Sequence, residues 1–145
     1  MLLPVISRVA LAAAAALFLF LVIHPHRRAA ALLRTEEAAL RTLRVAARDG
    51  LGSERVEGGY RFFRVGGGAS PPLFVAAPEA PGESAVRTFA TCDGTTIYEQ
   101  DPVVFRSSGR DPDEEEYERL RRYLTAPPEK RQPRERPLWW HPLPR

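Results

Sequence analysis

The chain has 145 residues, 27% of them charged and 44% hydrophobic, which leaves room for one modest domain with appendages and not for a large enzyme scaffold. Its net charge of +3 comes from Arg interleaved with Glu and Asp rather than from a basic patch, which argues against nucleic acid as a partner. Cys92 is the only cysteine, so an intrachain disulfide is excluded.

The first element is an unbroken apolar run over residues 9–23, preceded by a segment in which only Arg8 is charged. At about 1.5 Å per residue the whole stretch reaches roughly 35 Å, against about 30 Å of bilayer hydrocarbon. This predicts a membrane anchor over residues 1–25, with Val9, Leu17, Phe18, Phe20 and Ile23 as its lipid-facing side chains and the bilayer as the first partner. A cleaved signal peptide is the competing reading, because a basic residue followed by an Ala-rich stretch fits that pattern too. Here, however, His24-Pro25-His26-Arg27-Arg28 follows directly, and the first Ala-x-Ala choice ends beyond it at Ala31. The sequence therefore favours a retained, single-pass anchor. Counting basic residues, Arg8 on one side stands against Arg27, Arg28 and Arg34 on the other, a bias that by itself would place the rest of the chain in the cytoplasm.

Residues 26–49 predict an amphipathic helix. From Arg27 to Arg48 there is neither Pro nor Gly, and Ala, Leu, Arg and Glu dominate. Arg27, Arg34, Arg41 and Arg48 recur every seven residues along one side, while Leu33, Leu40, Leu43 and Ala47 form an apolar stripe on another. The Arg ladder reads as a solvated face or as a contact with anionic headgroups or acidic subunits. Gly50 is a suitable stop.

After Gly58-Gly59 the period changes to that of strands. Residues 60–65, 73–77, 85–91 and 95–99 read as four short antiparallel strands, with Gly66-Gly67-Gly68 and Asp93-Gly94 as turns, giving a small sheet over residues 58–106. So small a sheet needs a helix to cover it. The expected packing set is Leu33, Leu40 and Leu43 against Tyr60, Phe62, Phe74, Phe89 and Ile97. The fold class is thus α+β: a transmembrane helix continuing into an amphipathic helix packed on a small antiparallel sheet, with a short C-terminal helix and a Pro-rich tail.

Thr35-Glu36-Glu37-Ala38-Ala39-Leu40-Arg41-Thr42-Leu43-Arg44 resembles the stretch that follows the membrane segment in many pilin-like proteins. Gly59-Tyr60-Arg61-Phe62, Phe74-Val75-Ala76-Ala77-Pro78, Arg87-Thr88-Phe89 and Asp93-Gly94-Thr95-Thr96-Ile97-Tyr98 are similar, in order, to the sheet pattern of the same group. The resemblance, to type IV pilins and to the pseudopilins of type II secretion, covers roughly residues 9–101. It implies a non-enzymatic structural or assembly protein of the bacterial envelope, in the cytoplasmic membrane with its domain on the periplasmic or outer side, and pilin-like subunits as homo- or hetero-oligomeric partners. The prepilin cleavage motif is missing: no Gly precedes Gly50, and residues 9–23 hold no Glu, so processing by a prepilin peptidase is not expected.

Asp111-Pro112 followed by Glu114, Glu115 and Glu116 predicts a short charged helix over residues 111–125, docked lightly or mobile, with Arg119, Arg121 and Arg122 complementing its dipole. Pro127-Pro128 ends it, and residues 126–145, rich in Pro and Arg, are expected to be disordered. Trp139 and Trp140 are costly to leave in water, which makes them candidates for binding a protein partner, the bilayer interface, or the protein's own sheet. A membrane-tethered module that recruits a partner through this tail is therefore the alternative function, with an envelope enzyme a remoter third. No spacing of His, Cys, Asp or Glu suggests catalysis or a metal site, and no cofactor is expected.

Overall fold

The computed structural model describes residues 3–81, 86–100 and 114–144. The chain divides into two compact units, residues 1–34 and 35–145.

The first unit is helical. Helix α1 spans Leu3–Phe18, a single π-turn occupies Leu19–Ile23, and α2 runs His24–Asp49. The π-turn has a cause in the sequence. Pro25 has no N–H to give to the carbonyl of Leu21, and its ring would collide with that carbonyl in a regular helix. Widening the preceding turn by one residue, so that the His24 N–H donates to the Leu19 carbonyl, relieves the collision without breaking the helix. Every side chain from Ala10 to Val22 is exposed. The helical run Ala10–Asp49 is long and apolar enough to cross a membrane.

The second unit is built on six strands: β1 (Arg55–Glu57), β2 (Tyr60–Val65), β3 (Leu73–Pro78), β4 (Phe89–Thr91), β5 (Tyr98–Gln100) and β6 (Trp140–Pro142). They lie in the order β1-β2-β3-β4-β5-β6, and every neighbouring pair is antiparallel. Strand alternation sorts the side chains onto two faces. Tyr60, Phe62, Phe74, Ala76, Phe89 and Ile97 meet Ala39, Leu43 and Ala46 of α2 in one core. Leu73, Val75, Ala77, Ala90, Tyr98 and Trp140 form the other with Tyr117, Leu120 and Leu124 of α3 (Glu114–Thr125). All six residues of β3 are buried, because both faces of that strand are covered.

Several expectations change. Among the described residues there are six strands and not four, and the sheet extends from Arg55 to Pro142 rather than over residues 58–106. The two additional strands sit at the two edges. Strand β1 is a charged, fully exposed triplet, and β6 comes from the Pro-rich tail, so neither carries the alternating apolar pattern by which strands are recognised. The third expected strand is shorter, its start at Ala85 lying outside the described residues, and the fourth begins at Tyr98. The tail expected to be disordered folds instead: two 3₁₀ turns, Pro128–Lys130 and Pro133–Glu135, lead into β6. Arg131 helps to reverse the chain by donating to the carbonyls of Leu124 and Ala126, at 2.6 and 2.9 Å, at the open end of α3. Helix α3 is not lightly docked, since its apolar edge is the lid of an entire core. Its expected cap, Asp111-Pro112, lies outside the described residues, as do residues 101–106 of the expected sheet.

Candidate functional site

Where α2 crosses the sheet, the buried side of the helix is Glu36, Ala39, Leu43 and Ala46. An acid on this stripe must be paired, since an isolated buried carboxylate is prohibitively costly. Its partner is Arg87, just before β4, whose Nε donates to Glu36 Oε2 at 3.0 Å and whose Nη2 reaches the same oxygen. Arg87 Nη1 also donates to Glu99 Oε2 on β5 at 2.7 Å. The three side chains are 7% (Glu36), 32% (Arg87) and 22% (Glu99) exposed, so the triad bridges helix and sheet from a core position to a half-open one. The hydrogen bond to Glu36, working against burial and aided by the charge of both carboxylates, holds the Arg87 guanidinium above its ordinary pKa. The Tyr60 hydroxyl donates to the Arg87 carbonyl at 3.0 Å. Burial, then the nearby Glu36 charge, pushes its phenol well above the ordinary range, only partly offset by Arg87.

A second contact ties the β4–β5 loop to the same helix. Asp93 Oδ1 accepts from the Thr95 and Thr96 N–H groups at 2.8 and 3.0 Å, while Thr91 Oγ1 accepts from the Gly94 N–H and donates to the Thr96 carbonyl. Burial works against the Asp93 charge, but these donors outweigh it and the carboxyl is held below its usual range. Gly94 sits at φ +73° with the Arg44 carbonyl 3.2 Å from where a Cβ would be, so the loop presses directly on α2 and only glycine fits.

On the opposite face, Trp140 Nε1 donates to Glu116 Oε1 at 3.0 Å, and Gln100 Nε2 approaches the same oxygen at 3.4 Å. Trp140 is fully buried, whereas Trp139 is 47% exposed. The pair therefore does not act together. Trp140 opens β6 and joins the α3-side core, whereas Trp139 stands in the turn before the strand, beside exposed Leu138.

Of the expected packing residues, Leu43, Tyr60, Phe62, Phe74, Phe89 and Ile97 lie in the α2-side core and Leu40 packs at its edge. Leu33 does not join it: it is 55% exposed. The reason is Glu36, which apolar counting passes over and whose inclusion turns the buried stripe away from Leu33. Sequence reading missed the triad for the same reason, although an acid in register with Ala39, Leu43 and Ala46 was the available signal. Among the anchor residues, Leu17, Phe18 and Phe20 are exposed and Ile23 is half-buried; Val9 lies within α1.

Among the described residues, no three His, Cys, Asp or Glu side chains converge as metal ligands would. Cys92 packs at the margin of the α3-side core, where burial and then Asp93 push its thiol up to about 11, a poor nucleophile near neutral pH. What this arrangement can do chemically is fix surfaces in place: two ion and hydrogen-bond clusters pin two helices to opposite faces of one sheet. Compared with protein-family models, curated proteins and solved structures, the chain matches none.

Proposed function

We propose that this chain is a non-enzymatic, membrane-anchored, pilin-like structural or assembly protein of the bacterial envelope, held in the cytoplasmic membrane with its sheet domain on the outer side. The observation that carries the reading is an exposed apolar helix followed by α2, whose residues 36–46 pack along one face of an antiparallel sheet through Glu36, Ala39, Leu43 and Ala46. A side chain such as Phe20, 70% exposed, forgoes most of the about 1.5–3 kcal/mol that full burial would give, and a row of them from Leu17 to Val22 is understandable only if lipid or neighbouring apolar helices cover it. The pinning of α2 to the sheet by Glu36, Arg87 and Glu99 supports a structural junction.

The alternative, a tethered module that recruits a protein, is supported by Leu138 and Trp139, adjacent and exposed next to Arg134, Glu135 and Arg136. Trp140 does not contribute to it. Three measurements test the readings. For the membrane-extracted protein we expect a full-length intact mass, protease access to the domain from the outer side, and a ladder of cross-linked oligomers through residues 10–23. A monomer whose partner is lost in Trp139→Ala would favour recruitment, and a domain sheltered from external protease would overturn the outer-side placement.

A further inference from the structure

A shallow groove lies at the end of the apolar helix, alongside the π-turn. Ala16, Leu19, Phe20, Ile23, His24 and Arg27 line it. The rings of Phe20 and His24 stack at 5.9 Å, nearly parallel, which stiffens one wall. Leu19, Ile23 and Arg27 succeed one another at intervals of four on the other wall, with Arg28 one turn beyond His24. The groove is therefore apolar at one end and cationic at the other. No Asp or Glu occurs in the chain before Glu36, so nothing within this unit neutralises the cationic end.

The geometry points to a binding groove for an anionic phospholipid, with the acyl chain along Ala16, Leu19, Phe20 and Ile23 and the headgroup phosphate at Arg27 and Arg28. This rests on the membrane-spanning reading and adds a lipid preference to it. Charge complementarity selects the occupant. Arg27 begins about 6 Å beyond Ile23 along the helix axis, the depth at which a phosphate follows the hydrocarbon, whereas Arg34 lies roughly 16 Å beyond it, outside one Debye length at physiological salt. A guanidinium at the phosphate donates two parallel hydrogen bonds that a zwitterionic choline headgroup, carrying its own compensating cation, rewards less.

The test uses the full chain reconstituted in phosphatidylcholine vesicles containing a trace of spin-labelled phosphatidylglycerol or spin-labelled phosphatidylcholine, with the motionally restricted fraction read by electron spin resonance. We expect phosphatidylglycerol to be preferred by at least about fivefold, the effect of a single basic residue at an anionic surface, with the preference falling at high salt. Arg27→Gln with Arg28→Gln should bring the ratio to one, while Arg34→Gln should leave it unchanged. A vesicle-embedded wild-type chain with a ratio of one, or an Arg34→Gln variant that loses as much as the Arg27 and Arg28 pair, would overturn the groove while leaving the spanning reading intact. A chain that fails to float with either vesicle overturns the spanning reading, and the groove with it.

Discussion

Glu36 is the residue on which the α2-side packing turns. It is the single acid on the buried stripe of α2, and its pairing with Arg87 converts what would be a destabilising charge into a register pin between helix and sheet. Removing either partner strands the other. We expect Glu36→Ala to cost about 3 kcal/mol, the lower end of the range for breaking a buried pair because Arg87 is a third exposed and keeps some hydration and Glu99. Replacing both, as Glu36→Leu with Arg87→Met, should recover part of that loss, since the buried stripe becomes apolar and the one charge left without its partner, Glu99, is 22% exposed and keeps some hydration. Urea unfolding of the two variants beside the unaltered chain checks this, and a double variant no more stable than Glu36→Ala would show that the triad acts through something other than charge pairing. Legibility at this scale was partial. The aromatic members of the core, Tyr60, Phe62, Phe74 and Phe89, are evident from strand alternation alone. Glu36 and Arg87 are 51 positions apart, and only the packing of α2 against the sheet makes them neighbours.

Among the elements, β6 is the least expected. A three-residue strand ending in Pro, drawn from a tail rich in Pro and Arg, has no propensity of its own. It forms because β5 offers an unpaired edge, because Gln100 and Trp140 face each other across it, and because Trp140 fills the α3-side core. We therefore expect Trp140→Ala to destabilise the domain by about 3–5 kcal/mol, the range for removing a buried aromatic ring, and Trp139→Ala to change stability by less than about 0.5 kcal/mol. Intrinsic fluorescence of each single variant provides a second check: the tryptophan remaining in Trp139→Ala should emit to the blue of that remaining in Trp140→Ala. Equal effects of the two substitutions would contradict the placement of β6. Helix α3 shares this logic, because its narrow apolar edge of Tyr117, Leu120 and Leu124 suffices only when β6 and the α3-facing side of β3 complete the core.

At the scale of the whole molecule, the folded domain should be stable over a plateau to whose acid limit Asp93 contributes and whose alkaline limit Tyr60 shares with Cys92 and Tyr98, all three raised by burial. The Tyr60 phenol has a raised pKa in the folded state. Its contribution is thus fully present below the unfolded value, about 10, and is lost as pH rises above it. Asp93 has a lowered one, so its contribution is present above about 4 and is lost as the solution is acidified below that. Urea midpoints of the full chain measured across pH should fall at both ends, and Tyr60→Phe should flatten the alkaline limb while costing about 1 kcal/mol for the lost hydrogen bond to Arg87. An alkaline limb unchanged in Tyr60→Phe would mean that another group sets it.

Most features that depend on neighbours along the chain were legible in the residues alone: the apolar helix over residues 9–23, the polar helix ending near Gly50, the aromatic strands between Tyr60 and Val65 and between Leu73 and Ala77, and the acidic start of α3; the π-turn before Pro25 and the edge strand β1 are equally local but carry no periodic signal. Local propensity and periodicity carry that information because side chains three, four or two positions apart meet regardless of the rest of the fold. Only the tertiary structure decided the sixth strand, the second core, the separation of Trp139 from Trp140, and the triad of Glu36, Arg87 and Glu99. Each of these joins segments far apart in the chain, and the free energy that holds them comes from burial and charge pairing that exist only after the sheet has been covered on both faces.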